Sequence, residues 1–378
     1  MSQHYDFSQL AQLVNINSYT KNKAGVDAVA ALYSQWMKEL GFLVNVYQRE
    51  GIGDHLHFVS PKKAGKKVLL LGHFDTVFPP QTFEGFSEDD EWIYGPGVCD
   101  MKGGNMVALE ALRNVYQQHG EIANIDVLMV SDEETGSDDS KALTAQLARD
   151  YDLCLVFEAA GPAQEIVIAR KGIATFTISI EGRAAHAGNH YQDGINANLA
   201  AAHMVISLTS LTDLASGSTV NAGKITGGIG ANTISPRAEI KVEARFTDSQ
   251  EKQRILDGIE EVANAPKVKG IRVSLTGGVQ RDVMQTSEQQ VSLIQTFEAI
   301  TEAPFRLERR GGVSDANVVS AIGVPTLDGF GPFGDGDHTE NERACKKSYL
   351  NRIALVSKIL NAYNGVQKLP ESDVAQAV

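Results

Sequence analysis

At 378 residues the chain is long for a single core and implies two or three domains. Hydrophobic residues at 43% and charged residues at 21% exclude a disordered chain, and a formal net charge of -13 disfavours non-specific binding to nucleic acid or an anionic membrane, which need a basic face. Cys99, Cys154 and Cys345 form no CxxC or disulfide framework, "MSQHYDFSQLAQLV" is not built like a signal peptide, and no run of about 18 apolar residues predicts a membrane span, so the cytoplasm is the expected location.

A helix is predicted over 25–42, where Val29, Leu32, Tyr33, Trp36 and Leu40 fall at helical spacing and Gly41 gives a stop. "KKVLLLGHFDTVFP" reads as a buried strand that turns polar at its C-terminal end. "GGNMVALEALRNVYQQHG" is a helix opened by glycines, and "NIDVLMVSDEETGS" and "DLCLVFEAAG" are further apolar runs that end in carboxylates. Strands separated by helical patterns predict a mostly parallel sheet with helices on both faces, an α/β class.

The middle of the chain changes character. "GIATFTISIEGRAAHAG" alternates with period two, a helical segment follows over 194–211, and "TVNAGKITGGIGANTISPRAEIKVEARFTD" and "KGIRVSLTGGV" read as strand, turn and strand. Residues 171–280 are therefore expected to form a small inserted α+β domain, with 1–170 and 281–378 forming a discontinuous first domain. After it, "EQQVSLIQTFEAI" resumes helical spacing, "VPTLDGFGPF" reads as a strand and "YLNRIALVSKILNAYNG" as a closing helix, followed by a polar, frayed tail beyond about Lys368.

Polar residues gather where the apolar strands run out: His73 and Asp75, Asp100, Glu133 and Glu134, Glu158, and His338. Singly, each has a plain explanation as a hydrogen-bonded histidine, turn chemistry or a solvated acidic loop. In open α/β sheets, however, ligands bind at the carboxyl ends of the strands. So many carboxylates on one edge repel unless positive charge sits among them. Imidazoles with carboxylates and no thiolate cluster suit zinc, cobalt or manganese, and two histidines argue against calcium.

The blocks "GHFDTVFP", "GPGVCDMKGG", "SDEETGS", "GRAAHAG", "GGVSDA" and "DHTENE", in that order, resemble the M20 family of co-catalytic zinc peptidases, and within it the glutamate carboxypeptidase branch. The likeness runs from about residue 5 to 365. It implies a zinc-peptidase-like catalytic domain with a mostly parallel central sheet, and a ferredoxin-like lid and dimerisation domain at the insertion. It also implies two zinc ions, with cobalt or manganese as substitutes. His73 and Glu158 would serve one ion, His338 and Glu134 the other, and Asp100 would bridge them. Asp75 would orient His73. Glu133 would stay unligated as general base and then acid. A cis peptide is implied at Asp100–Met101.

In the insertion, His186 matches a family histidine that stabilises the oxyanion, and Asn232 and Arg245 match positions lining the substrate side. Arg281 is the candidate clamp for a substrate carboxylate, with a structural ion pair as the other reading of both arginines. "GGVSDAN", with Gly312, either holds a substrate carboxylate on backbone N–H groups or is a helix start capped by Ser314 or Asp315. Relatives often have Pro where Ala159 stands.

The implied activity is hydrolysis of an amide bond to release a C-terminal amino acid, glutamate being one candidate, from a short peptide or N-acyl amino acid. A homodimer through the inserted domain is implied, with neither nucleic acid nor membrane as partner. An aminoacylase, aminotripeptidase or dipeptidase of the same family is the alternative within enzymes. A non-catalytic metal-binding or dimerisation protein is the alternative outside them.

Overall fold

The computed structural model describes residues 5–365, and the predicted tail lies outside them. The described residues divide into two compact units, the second comprising Arg170–Gln285 with Arg310–Val313 and the first the remainder.

The first unit is built on a six-stranded sheet. Its strands lie in the order Leu43–Tyr47, His55–Val59, Ile125–Val130, Val68–His73, Leu153–Val156 and Thr326–Leu327. The last four run parallel, and the first two add an antiparallel hairpin at one edge. Every residue of the three central parallel strands is buried, which is why they read as continuous apolar runs. Register brings their carboxyl ends level: His73 lies beside Val130, and Leu71 beside Val156.

The predicted first helix spans Lys23–Glu39 and buries Val26, Val29, Ala30, Tyr33, Trp36 and Met37. Asn22 caps its start by accepting from Gly25 N–H. The helix Lys102–His119 begins with two glycines because the backbone there passes too close for a side chain. A Cβ on Gly104 would stand 1.9 Å from the Phe157 carbonyl oxygen, and one on Gly103 2.1 Å from that of Val98. This close approach lets Asn105 Nδ2 donate to the His73 carbonyl at 2.7 Å. "VPTLDGFGPF" contributes only Thr326–Leu327 as strand, because the glycines after it turn the chain away.

The second unit has strands Gly172–Glu181, Thr219–Gly227, Arg237–Phe246 and Arg272–Arg281 and helices Ala197–Thr209 and Ser249–Asn264, a β-α-β-β-α-β order. Its sheet is antiparallel, with Arg237–Phe246 and Gly172–Glu181 central. Alternate residues such as Ile178, Ile180, Ile240 and Val242 form its core with Ile255 and Ile259 of the second helix. The inserted segment begins and ends at a backbone clasp, where Arg170 N–H donates to the Met284 carbonyl at 3.0 Å and Met284 N–H returns the bond at 3.1 Å; Arg310–Val313 joins the unit later in the chain.

Candidate metal centre

The parallel strands deliver their following residues to one edge. His73 is the last residue of its strand, and Glu133 and Glu134 follow Ile125–Val130 in a single 3₁₀ turn. Glu158 follows Leu153–Val156 after one intervening residue. Asp100 lies one residue before the Lys102–His119 helix, joined to the intervening Met101 through a cis peptide as the resemblance implies. His338 sits at the tip of a hairpin between Gly334–Asp335 and Arg343–Cys345, with φ of +61°. Arg343 braces that hairpin by gripping both Asp335 oxygens, at 2.8 and 3.0 Å, while its guanidinium lies 4.0 Å from the Trp92 ring centre.

The Asp100 carboxylate lies between the two imidazoles. Oδ1 is 3.3 Å from His73 Nε2, and Oδ2 is 3.2 Å from His338 Nε2. His338 Nε2 is also 3.2 Å from Glu134 Oε2, and His73 Nε2 is 3.7 Å from Glu158 Oε1. Candidate ligand atoms of His73, Asp100 and Glu134 all fall within 4.8 Å of one another, as do those of His73, Glu133 and Glu158. Asp75, fully buried, stands behind His73. The His73 Nδ1 lies 3.0 Å from the Asp75 carbonyl and 3.4 Å from its carboxylate. That carboxylate also accepts from Glu133 N–H and Glu134 N–H at 3.3 Å each and from Thr20 Oγ1 at 2.7 Å. One carboxylate thus sets both the His73 ring and the turn carrying the paired glutamates.

The cluster's charges are strongly perturbed. Burial pushes the Glu134 and Glu158 carboxyls well up, and the Asp100 charge adds to it. Burial also opposes ionisation of Asp100, but His338 and His73 hold it well below the usual carboxylate range. Hydrogen bonds to Asp100 and Glu134 push His338 up to about 11. Burial works against the His73 imidazolium, yet Asp100 and Asp75 keep its pKa well above the ordinary value. A donor set of two imidazole nitrogens and several carboxylates, without thiolate, fits borderline divalent ions.

A metal ligand must be a neutral imidazole or an ionised carboxylate, so loading the metal-free chain at pH 7 is expected to release protons from His73 and His338 and from whichever of Glu134 and Glu158 burial keeps protonated. Affinity then falls as pH is lowered, because protons compete for the same nitrogens. Calorimetric zinc titrations in two buffers of different ionisation enthalpy measure the release, and equal heats in both would contradict it.

The other predicted residues lie in the second unit. His186 is exposed, and its Nδ1 accepts from Gly188 N–H and Asn189 N–H at 3.1 Å each, which leaves the proton on Nε2. Asn232 lies on the neighbouring segment, its carbonyl accepting from Ala187 N–H at 2.9 Å. Arg245 pairs with Glu243 at 2.8 Å and donates to the Gly311 carbonyl at 2.9 Å. Arg281 ends its strand and is buried. The Gly312 carbonyl accepts from Arg170 at 3.1 Å. The helix Asp315–Ala321 of the first unit is capped from within, Ser314 accepting from Ala316 N–H and Asn317 Oδ1 accepting from Ser314 N–H.

Sequence reasoning did not single out Thr20, His55, Asn105 or Glu342. His55, fully buried, accepts Ser131 N–H on Nδ1 at 3.1 Å and faces Asp139 with Nε2 at 2.9 Å, steadying the start of the glutamate turn. Only Glu342 carried a signal, as part of the "DHTENE" block.

Residues 69–362 match the family model described as Peptidase family M20/M25/M40. The chain is 30% identical over 366 residues to Carboxypeptidase G2 of Pseudomonas sp. (strain RS-16), covering 93% of this chain and 86% of that one. It is 25% identical over 378 residues to a succinyl-diaminopimelate desuccinylase of Xylella fastidiosa (strain 9a5c), covering 91% and 94%. Its fold is similar to that of aminopeptidase PepT from Bacillus cereus ATCC 10987, with a TM-score of 0.77, 23% identity and coverage of 94% and 96%. A match over most of the length, on a fold that collects imidazoles and carboxylates at one sheet edge, shows that the chain belongs to peptidase family M20/M25/M40 and is a hydrolytic enzyme.

Proposed function

We propose that the protein is a dinuclear zinc hydrolase that releases a C-terminal amino acid, glutamate being the first candidate, from a short peptide or an N-acyl amino acid. The observation that carries this reading is the Asp100 carboxylate placed between His73 and His338, with Glu158 and Glu134 flanking the two imidazoles. His73, Asp100 and Glu158 would hold one ion, and His338, Asp100 and Glu134 the other. When bound, such ions act as Lewis acids that acidify water and polarise an amide carbonyl.

The chain's own residues do the rest. Glu133 accepts the proton of the attacking water and returns it to the leaving amine. Asp75 keeps the His73 ring and the glutamate turn in place. His186 donates Nε2–H to the oxyanion, and Asn232 helps line the substrate. Arg281 is assigned to clamp the substrate carboxylate, Arg245 to line the substrate side, and the N–H groups of the Gly312 segment to a substrate carboxylate. The second unit would serve as the lid and the homodimer contact. Leu199 and Ile206 of its first helix and Ile225 of its edge strand are exposed apolar residues, the kind a partner copy covers. Among the described residues no helix is long and apolar enough to cross a membrane, and three free cysteines suit a reducing cytoplasm.

Amino-acid release from N-acyl-glutamate, N-acyl-alanine, a dipeptide and a tripeptide, with zinc or cobalt and then with chelator, tests the reading. Chelator-sensitive release of glutamate from the blocked conjugate is expected. Release only from substrates with a free amine would replace it with an aminopeptidase, and release from every N-acyl amino acid alike with a general aminoacylase.

A further inference from the structure

Glu342 lies four residues beyond His338 and is 1% exposed. Its carboxylate faces the turn that carries Asp100. Oε2 accepts from Gly97 N–H at 3.0 Å, and Oε1 accepts from Cys99 N–H at 2.9 Å and Asp100 N–H at 3.0 Å. Its backbone carbonyl accepts from Gly95 N–H at 3.3 Å, and its own N–H donates to the Thr339 carbonyl at 3.2 Å. Every polar bond of this side chain goes to main chain within the 97–100 turn. An acidic side chain withdrawn from water to hold three amides fixes that turn far more firmly than a solvated one. The same turn is also held by Val98 N–H on the Gly95 carbonyl at 3.2 Å and Gly103 N–H on the Gly97 carbonyl at 3.0 Å, but among the described residues only Glu342 ties it to the His338 hairpin through the Asp100 amide; Gly97 has φ of +83°.

We propose that Glu342 is a positioning residue that locks the Asp100 turn to the His338 hairpin and so sets the spacing between the shared carboxylate and the second imidazole. It touches neither metal nor substrate; it acts through the backbone of Asp100. The position cannot be filled by an isostere. The amide of a glutamine offers one oxygen where two are used, and turns its NH₂ toward an N–H donor. The consequence falls on the centre's geometry, because Asp100 and His338 belong to segments far apart in sequence that Glu342 joins directly. The inference rests on the dinuclear reading above.

The test compares wild type, Glu342→Gln and Glu342→Asp by cobalt titration of the metal-free chain against a chromophoric chelator, with the visible spectrum of the loaded protein and thermal unfolding of the metal-free chain recorded alongside. Loss of such support for a metal ligand costs about 10–100-fold in metal affinity. Glu342→Gln is expected to weaken cobalt binding by that factor and to alter the cobalt spectrum. Glu342→Asp keeps the charge on a shorter arm and is expected to fall between it and wild type. A Glu342→Gln variant that unfolds earlier yet binds cobalt with wild-type affinity and spectrum would reduce the residue to a structural cap and overturn the proposal. Should Glu342→Gln fail to fold, Glu342→Asp decides alone, and wild-type behaviour there would overturn the proposal equally. Wild-type protein that takes up fewer than two cobalt ions would instead sink the dinuclear reading, and this inference with it.

Discussion

Glu133→Ala is expected to lower kcat by about 10²–10⁴-fold while leaving metal content unchanged, the range that a positioned general base contributes. The adjacent glutamates are not equivalent. Glu134 Oε2 faces His338 at 3.2 Å, whereas Glu133 presents a carboxylate oxygen to the cluster with His73 and Glu158. Their main-chain N–H groups are both held by Asp75, so removing the Glu133 side chain leaves the turn anchored. Metal analysis after dialysis and steady-state kinetics on the best substrate of the panel separate the two effects. Wild-type kcat in the variant would remove Glu133 from the proton path, and loss of metal would make it a ligand.

On the dinuclear reading proposed above, Asp100→Asn is expected to weaken both metal positions by more than about 10²-fold, beyond the loss caused by removing mere support for a ligand, and to abolish turnover. Each Asp100 oxygen faces a different imidazole, at 3.3 and 3.2 Å. An amide has one oxygen and no charge, so at least one imidazole is left facing an NH₂ group and the donor set loses its central negative charge. Equilibrium dialysis against zinc, followed by assay with excess metal, measures the outcome. Retention of one ion at wild-type affinity would show that the two halves bind independently.

Much of this arrangement was legible because the central strands are buried on both faces. "VLLLGH", "IDVLMV" and "LCLV" carry no alternation to confuse them, and the first polar letter after each marks the sheet's carboxyl edge. The edge hairpin was not legible. Leu43–Tyr47 is largely exposed, and "HLHFV" hides a buried strand behind two histidines. His55 tolerates full burial only through Ser131 N–H and Asp139, partners that lie more than seventy residues away and leave no local trace. The His338 hairpin has strands of two and three residues, too short to show periodicity. The role of Glu342 escaped for a different reason. The "DHTENE" block marks the His338 segment but gives Glu342 no role of its own, and only the three amides it meets in space supply one.

The clasp between Arg170 and Met284 bears on how such a chain can change over time. Because the insertion begins and ends at paired residues, the first unit meets it as a short bridge, whatever its internal length. The entropy of closing a loop grows only slowly with length, and a folded insert with adjacent ends nearly removes that cost. Glu158 precedes the clasp and His338 follows it, so the donors around Asp100 are encoded outside the inserted segment. Modules with the same end-to-end spacing are therefore interchangeable in principle, and a lineage can trade one inserted module for another while the donors around Asp100 stay encoded where they were.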